Sequence, residues 1–256
     1  MKKYSLLILM VLSACIGGEE NYLGYNIELW KDTEVWDFAN CISKGNFKKA
    51  ERLLGQNQIN INFKESKFGE TLLHWAVMND NLDAVKFLVN HGANPNAHDT
   101  YNGQSPISIA ASEFNSIEIL NYLLAHGGNP NDYVKESEVL SYERSLETPL
   151  IGAAFISLEK TKRLVAAGAD VNFAVKPGYT AFYNAAISKH KDILAYLIYT
   201  CKMDYTKTFV VTVDNDTLYL KDILDKEYDT HPEDSVIIKR IQAKIGNSII
   251  ETYQLK

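Results

Sequence analysis

The sequence predicts an all-α solenoid of about five helix-turn-helix units, followed by a C-terminal capping segment. An asparagine closes four successive units, with steps of 34, 35 and 41 residues, at Asn62, Asn96, Asn131 and Asn172. A glycine shortly before three of them supplies the left-handed residue that ends a helix, at Gly92, Gly127 and Gly168. Apolar residues with helical spacing recur from one unit to the next, at Leu82, Val85, Leu88 and Val89 and again at Ile117, Leu120, Leu123 and Leu124.

Each unit after the first opens with a helix-start signal. A threonine or serine can cap the helix, and a proline at the next position has its missing N–H where no donor is needed. The capping residues are Thr71, Ser105, Thr148 and Thr180, and Pro106 and Pro149 follow two of them. The units span about 36–62, 68–96, 102–131, 147–172 and 178–205. Because one unit cannot bury both of its faces, neighbouring units must stack.

The two ends of the solenoid depart from the period. The first unit has no turn motif of its own, but residues 38–45 and 50–54 follow the two-helix pattern and predict an N-terminal cap. After Tyr205 the period fades, so residues 35–205 form the predicted repeat domain and residues 206–256 its C-terminal cap. Within that cap, two apolar segments flank a turn at 214–216, and an amphipathic helix is predicted over 234–245.

The combination of these offsets resembles the ankyrin repeat, whose pattern is G-x-T-P-L-H-x-A-A, a second helix ending in L-L, and then G-A-x-x-N. Gly69 to His74 and Gly92 to Asn96 carry the match, which covers roughly Trp36 to Tyr205. Leu72 and Ala181 replace the usual proline. The resemblance implies that His74 hydrogen-bonds the turns of adjacent repeats, and that the scaffold binds proteins.

The N-terminus has the features of an export signal. Residues 1–14 carry Lys2 and Lys3 before an apolar run, Tyr4 to Leu12, which as a helix would cover only about 14 Å of a bilayer core of roughly 30 Å. The following Leu12 to Cys15 resembles the lipobox of bacterial lipoproteins, which implies acylation of Cys15 after cleavage. An ordinary signal with a chance cysteine is the alternative.

Cleavage and acylation would leave the mature chain anchored to a membrane rather than spanning it. Residues 15–34 are then the lipidated cysteine and a polar tether, with Leu29 and Trp30 as candidates for docking on the first helix. In lipoproteins an aspartate directly after the cysteine commonly signals retention in the inner membrane. Ile16 stands there, which favours an outer-membrane lipoprotein facing the periplasm.

Composition and motifs argue against nucleic-acid binding and against enzymatic chemistry. A formal charge of −6, which becomes −8 without Lys2 and Lys3, is unsuited to a phosphate backbone. The histidines lack the paired spacing of a zinc protease, and no nucleophile elbow or phosphate-binding loop is present. We therefore predict no catalytic residue, no metal and no cofactor. Cys41 and Cys201 lie four repeats apart and should remain unpaired thiols.

The resemblance places the partner-binding surface on the turn tips and the first helix of each repeat. The predicted contacts are Trp75, Met78, Asn79, Tyr101, Ile109, Glu113, Phe155, Ile156, Asn184 and Ile187. Several are large and apolar, as in the anchors of protein interfaces. Packing of Trp75, Phe155 and Ile156 between repeats is the alternative. A second candidate surface is the insert at 132–146 with Tyr133 and Tyr142, for which a solvated loop is equally compatible with the sequence.

Ankyrin lipoproteins of Gram-negative bacteria include immunity proteins that neutralise antibacterial effectors delivered by type VI secretion, phospholipases among them. This resemblance implies a protein partner, a secreted toxin whose active site is covered, with membrane contact through the lipid anchor alone. The alternative is an envelope scaffold or stress-related adaptor that binds a resident periplasmic protein. A hydrolase carrying an ankyrin module is a more distant third.

Overall fold

The computed structural model describes residues 25–56, 59–113, 116–134, 147–175, 179–188, 190–202, 209–211 and 217–219. The signal segment 1–14, Cys15, Tyr142 and the predicted helix over 234–245 lie outside these ranges.

Within the described ranges, the helices come in pairs, one pair for each predicted repeat. They are α1 Trp36–Ser43, α2 Phe47–Gln56, α3 Leu72–Met78, α4 Leu82–Asn90, α5 Pro106–Ser112, α6 Ile117–Ala125, α7 Pro149–Ile156, α8 Leu158–Ala166, α9 Ala181–Ile187 and α10 Lys191–Ala195, which continues as a π-helical turn, Tyr196–Thr200. The first helix of each repeat packs on the first helix of the next in α3, α5, α7 and α9. The second helices α4, α6 and α8 stack in the same order. The predicted helical-repeat fold is confirmed.

The capping residues act as their sequence positions predict. The Ser105 hydroxyl accepts a hydrogen bond from the Ser108 N–H, and the Ser108 hydroxyl oxygen accepts one from the Ser105 N–H at 2.8 Å. In the second repeat the Thr71 N–H donates to Nδ1 of His74 at 3.0 Å. Nε2 of His74 must then carry the proton, and it donates to the carbonyl of Gln104 at 3.1 Å. His74 is completely buried, and burial lowers its pKa to about 4, so a neutral ring joins the second and third repeats.

Three of the asparagines that close a repeat join it to the next one. Asn96 Nδ2 donates to the carbonyl of Gly127 at 2.8 Å, and its Oδ1 accepts from the Asn129 N–H at 2.7 Å. Asn62 makes the same pair of bonds to residues 92 and 94, and Asn131 to residues 168 and 170. The period in the sequence therefore reflects hydrogen bonds between adjacent repeats. We call this pair of hydrogen bonds the asparagine clamp.

The N-terminal segment packs on the stack from Tyr25 onward. A 3-10 helix, Ile27–Trp30, leads into α1, and Trp30 is completely buried. Leu29 is half-buried against the same core. Residues 25–34, predicted as part of a polar tether, thus belong to the folded domain within the described structure.

The C-terminal segment adds strands to an otherwise helical architecture. Phe209–Val211 (β1) pairs antiparallel with Thr217–Tyr219 (β2), with Phe209 opposite Tyr219. The turn predicted at 214–216 lies outside the described residues. Cys41 and Cys201 are both free thiols.

The asparagine clamp generates the first prediction. Asn96→Ala should lower the free energy of unfolding by about 1–2 kcal/mol, because it removes two hydrogen bonds between repeats. The change in unfolding free energy is measured by urea denaturation, monitored by circular dichroism. Asn121→Ala, on α6, is the matched control and should stay within about 0.5 kcal/mol of the parent. Equal effects of the two substitutions would contradict a structural role for the clamp.

Candidate partner-binding surface

The fourth residue of each first helix lies between helices rather than on a partner surface. These residues are Trp75, Ile109, Gly152 and Asn184, and all four are buried, with Trp75 6%, Ile109 3% and Asn184 2% exposed. The next two positions are alanine in α5, α7 and α9, which lets these helices approach closely. A Cβ built on Gly152 would come within 2.6 Å of the Ser112 Cβ. The prediction that Trp75, Ile109 and Asn184 face a partner is therefore corrected: they are interior residues.

The N-terminal segment covers Trp75. The carbonyl of Tyr25 accepts hydrogen bonds from Trp75 Nε1 at 3.2 Å and from Asn79 Nδ2 at 3.3 Å. Burial of the indole ring is compatible with its N–H because this carbonyl satisfies the donor. The structure therefore shows Trp75 packed in the core and not facing a partner.

The accessible part of the first helices is their C-terminal end. We call it the helix-end strip, and it comprises Met78, Asn79, Ser112, Glu113, Phe155, Ile156 and Ser188. Phe155 has 42% of its surface exposed, and Ile156 and Met78 are half-buried. Ile187 belongs to α9 at the position equivalent to Phe155. The strip mixes three apolar residues with four polar ones, of which Glu113 is acidic, and such a mixture suits a protein contact.

A buried lysine supports the middle of the strip. Lys160 extends from α8 and is 4% exposed, and its ammonium donates to the carbonyls of Ala110 at 2.8 Å and Glu113 at 2.6 Å. These carbonyls lie at the end of α5, where a helix leaves acceptors unsatisfied. Burial lowers the pKa of Lys160 to about 8, an effect that the charges of Asp80 and Glu113 oppose.

The turn tips also stack from repeat to repeat. Phe68 and Tyr101 meet edge to face at 5.5 Å, and Thr100 donates from its N–H to the carbonyl of Phe68 at 2.9 Å. Behind the tips, the buried carboxylates of Glu65 and Asp99 accept several backbone N–H groups. Phe68 is thus buried, and Tyr101 remains half-buried at the rim.

The insert begins and ends beside a cleft between the third and fourth repeats. Asp132 at its start accepts a hydrogen bond from the Ser105 hydroxyl at 2.5 Å and lies 3.0 Å from Nε2 of His98. Glu147 at its end accepts hydrogen bonds from the Tyr179 hydroxyl and from Asn184 Nδ2. Tyr133 is half-buried and packs on Phe173 at 5.4 Å.

Sequence reasoning missed four residues of this region, namely Tyr25, Gln104, Asp132 and Glu147. Gln104 and Glu147 each stand directly before a helix cap, as Glu70 and Tyr179 do. Tyr179 donates to Glu147, so residues at this position of neighbouring repeats touch. Aligning the position before each cap would have found them. No comparable signal marks Tyr25, which lies 50 positions from Trp75.

A metal-binding cluster and a membrane-spanning helix are both absent from the described ranges. No group of three or more histidine, cysteine, aspartate or glutamate side chains there could hold a metal ion. Among the same residues, no helix combines the length and the apolar character that crossing a bilayer requires.

Lys160 gives a stability prediction. Lys160→Met should cost about 1–3 kcal/mol of unfolding free energy, because the carbonyls of Ala110 and Glu113 lose their shared donor. It should also accelerate amide hydrogen exchange at the end of α5. Chemical denaturation and exchange mass spectrometry measure both. Arg163→Met, on the exposed face of α8, should change neither, and unaltered exchange in Lys160→Met would argue against capping of α5 by Lys160.

His98 gives a pH prediction. Its hydrogen bond to Asp132 raises its pKa above the ordinary value, and burial opposes the rise. The stabilisation from this pair is therefore complete below pH 6.5 and is lost as the pH rises through the higher pKa of the folded state. The His98→Gln substitution should lower the free energy of unfolding by less at pH 8 than at pH 6, and the difference should be about 1 kcal/mol or less. When Asp132→Asn removes the partner carboxylate, the effect of His98→Gln should no longer depend on pH in this way.

Comparison with known proteins assigns the repeats to a family. The family described as ankyrin repeats (3 copies) matches residues 38–134. Human Ankyrin repeat and SOCS box protein 6 is 30% identical over 134 residues, 52% of this chain and 31% of that protein. Notch-regulated ankyrin repeat-containing protein B of Danio rerio is 39% identical over 77 residues, 29% of this chain and 68% of that protein. The chain thus spans about a third of the length of the human protein.

A solved structure extends the likeness to the remaining repeats. The crystal structure of an ankyrin repeat domain from Acinetobacter baumannii matches with a TM-score of 0.64 at 22% identity, covering 83% of this chain and 99% of that one. At that identity the match shows the fold. Together with the five helix pairs and the asparagine clamp, these relatives show that the chain belongs to the ankyrin-repeat family, whose repeat stack is a protein-binding module.

Proposed function

We propose that this chain is a lipid-anchored, periplasm-facing immunity protein that inhibits an antibacterial effector delivered by type VI secretion, such as a phospholipase. The effector is bound by the ankyrin stack with its active site covered. The repeat fold supports a protein partner, and the lipobox-like segment ending at Cys15 supports the anchor.

The helix-end strip is the observation that carries the proposal. Phe155 exposes 42% of its surface in the strip, its chain neighbour Ile156 is half-buried, and Met78, two repeats away, is half-buried as well. An exposed aromatic ring with apolar neighbours and a polar rim is the usual composition of an interface centre. Because Lys160 holds the end of α5 in place, this part of the strip is preorganised, which lowers the entropic cost of binding.

Chain length supports a position close to the membrane. Tyr25 is bonded to Asn79 of the strip, and ten peptide units separate it from Cys15. Ten extended residues reach at most about 35 Å. An acylated Cys15 would therefore keep the Asn79 end of the strip within about 35 Å of the bilayer surface, beside the site that a phospholipase attacks.

Competition between bacterial strains tests this function. Deleting the gene should make cells sensitive to sister cells that deliver the effector, and the wild-type gene should restore resistance. Phe155→Ala should restore it poorly, because loss of a hot-spot side chain costs about 2 kcal/mol or more of binding. Tyr199→Ala, with a similarly exposed ring at 45%, is the matched control and should restore resistance fully. Survival of the progeny is counted, and equal amounts of each variant are verified by immunoblot.

The same strains test the anchor and the alternative. Cys15→Ser should move the protein from the membrane fraction to the soluble one and reduce protection. Full resistance of the deletion strain, together with no secreted effector encoded nearby, would contradict the immunity function. A deletion that leaves resistance intact but weakens the envelope would instead favour the scaffold or adaptor.

A further inference from the structure

Three buried carboxyl groups lie where the turn tips of the second and third repeats stack. Glu65 and Glu70 belong to the turn before α3, and Asp99 belongs to the turn before α5; they are 2%, 2% and 6% exposed. The two turns are in close contact, since a Cβ built on Gly69 would collide with the side chain of Thr100. We call the three acidic groups the carboxyl cluster, and little water reaches it.

Backbone donors compensate two members of the carboxyl cluster. The Glu65 carboxylate accepts hydrogen bonds from three N–H groups of its own turn, at 2.6, 2.8 and 3.0 Å. The Asp99 carboxylate accepts hydrogen bonds from the N–H groups of residues 101–104. Burial raises the pKa of Asp99, and these four N–H groups oppose the rise. Both carboxylates thus have donors that stabilise their ionised form in a buried place.

The side chain of Glu70 has no such compensation. Its Oε2 is buried and has no hydrogen-bond partner among the described residues. The charges that act on it are those of Asp99 and Glu65, and both oppose its ionisation. Burial is the largest effect, and with these two charges it raises the pKa of Glu70 to about 8. Of the three carboxyl groups, Glu70 is therefore the one whose neutral form suits its surroundings.

The other titratable groups around these two turns are engaged elsewhere. His74 on α3 is completely buried, and its ring is neutral. The ammonium of Lys64 donates to the carbonyl of His98 at 2.7 Å, and that of Lys67 lies over the aromatic ring of the next residue, 5.0 Å from its centre. The His98 ring pairs with Asp132 of the following turn. The charges next to Glu70 are thus those of the carboxyl cluster itself.

We propose that Glu70 holds a proton in the folded protein at neutral pH, and that opening of the contact between the second and third turn tips releases this proton. An ionised Glu70 in the closed contact adds a third negative charge and leaves a buried oxygen without a donor. When the tips separate, water reaches the carboxyl group, which then ionises as an ordinary glutamate does. Rising pH consequently favours the open form.

The contact that opens is the one in which the carbonyl of Phe68 accepts hydrogen bonds from the N–H groups of Thr100 and Tyr101, at 2.9 and 3.1 Å. Tyr101 is also one of the predicted partner contacts, so the position of that ring at the rim becomes pH-dependent. The device needs neither the lipid anchor nor the effector, and it goes beyond the proposed function without resting on it.

The carboxyl carbon of Glu70 reports the proton directly. It is observed by NMR in the purified full chain labelled with 13C, and its resonance is assigned from its absence in Glu70→Gln. This substitution keeps the size and the neutrality of the protonated side chain. We expect a titration midpoint near pH 8, against 4.5 for an ordinary glutamate. A midpoint below neutral pH would overturn the proposal, because Glu70 would then be ionised in the folded protein.

The pH dependence of stability tests the same proton. Because the pKa of Glu70 is higher in the folded chain than in the unfolded one, the wild type loses stability as the pH rises from 4.5 to about 8. Glu70→Gln has no proton to lose at this position. The urea midpoint of the wild type should therefore fall relative to that of the variant across this range. A difference between the two midpoints that stays the same at every pH would count against the proposal.

Amide hydrogen exchange tests the opening itself. Between pH 5 and 8, protection of the Thr100 and Tyr101 amides, corrected for the intrinsic exchange rate, should fall by up to about tenfold per pH unit, because each opening releases one proton. The fall should be absent in Glu70→Gln. The Asp170 amide, which donates to Asn131 two repeats away, is the control and should keep its protection in both proteins. Constant protection at Thr100 and Tyr101, or an equal fall at Asp170, would overturn the coupling.

Discussion

An ankyrin repeat cannot bury its apolar residues alone, and in this chain the distance between repeats is fixed by a hydrogen bond as well as by packing. The asparagine that closes a repeat donates to one backbone carbonyl of the following repeat and accepts from one N–H two residues further on. His74 makes a second connection of the same kind through its neutral ring. Adjacent repeats are thus held in a fixed relative position, and this position determines which residues are exposed.

The close approach of the first helices decides which residues can reach a partner. Alanine follows the fourth position in α5, α7 and α9, and the backbones come so near that Gly152 has no space for a side chain. The fourth residue is consequently buried, and exposure moves to the helix ends at Phe155 and Glu113.

The sequence contains most of the fold because each structural element depends on a short pattern. Ser105 with Pro106, and Gly92 with Asn96, determine local backbone geometry within a few residues, so helix starts and ends were predictable. Burial of Ile109 and Asn184 was not, because it depends on the separation of two helices rather than on position within one. The covering of Trp75 depends on Tyr25, a contact between distant parts of the chain that no periodicity encodes. The role of Glu147 emerges only when Tyr179 and Asn184 are placed next to it.

Lys160 couples the third and fourth repeats energetically at the helix-end strip. Its ammonium belongs to α8, but the groups it satisfies belong to the end of α5. If that helix end frays, the two carbonyls lose their donor and the buried ammonium of Lys160 loses its acceptors. Each loss costs free energy. Local opening at the end of α5 is therefore coupled to α8, so a substitution in one of these repeats alters local opening in the other.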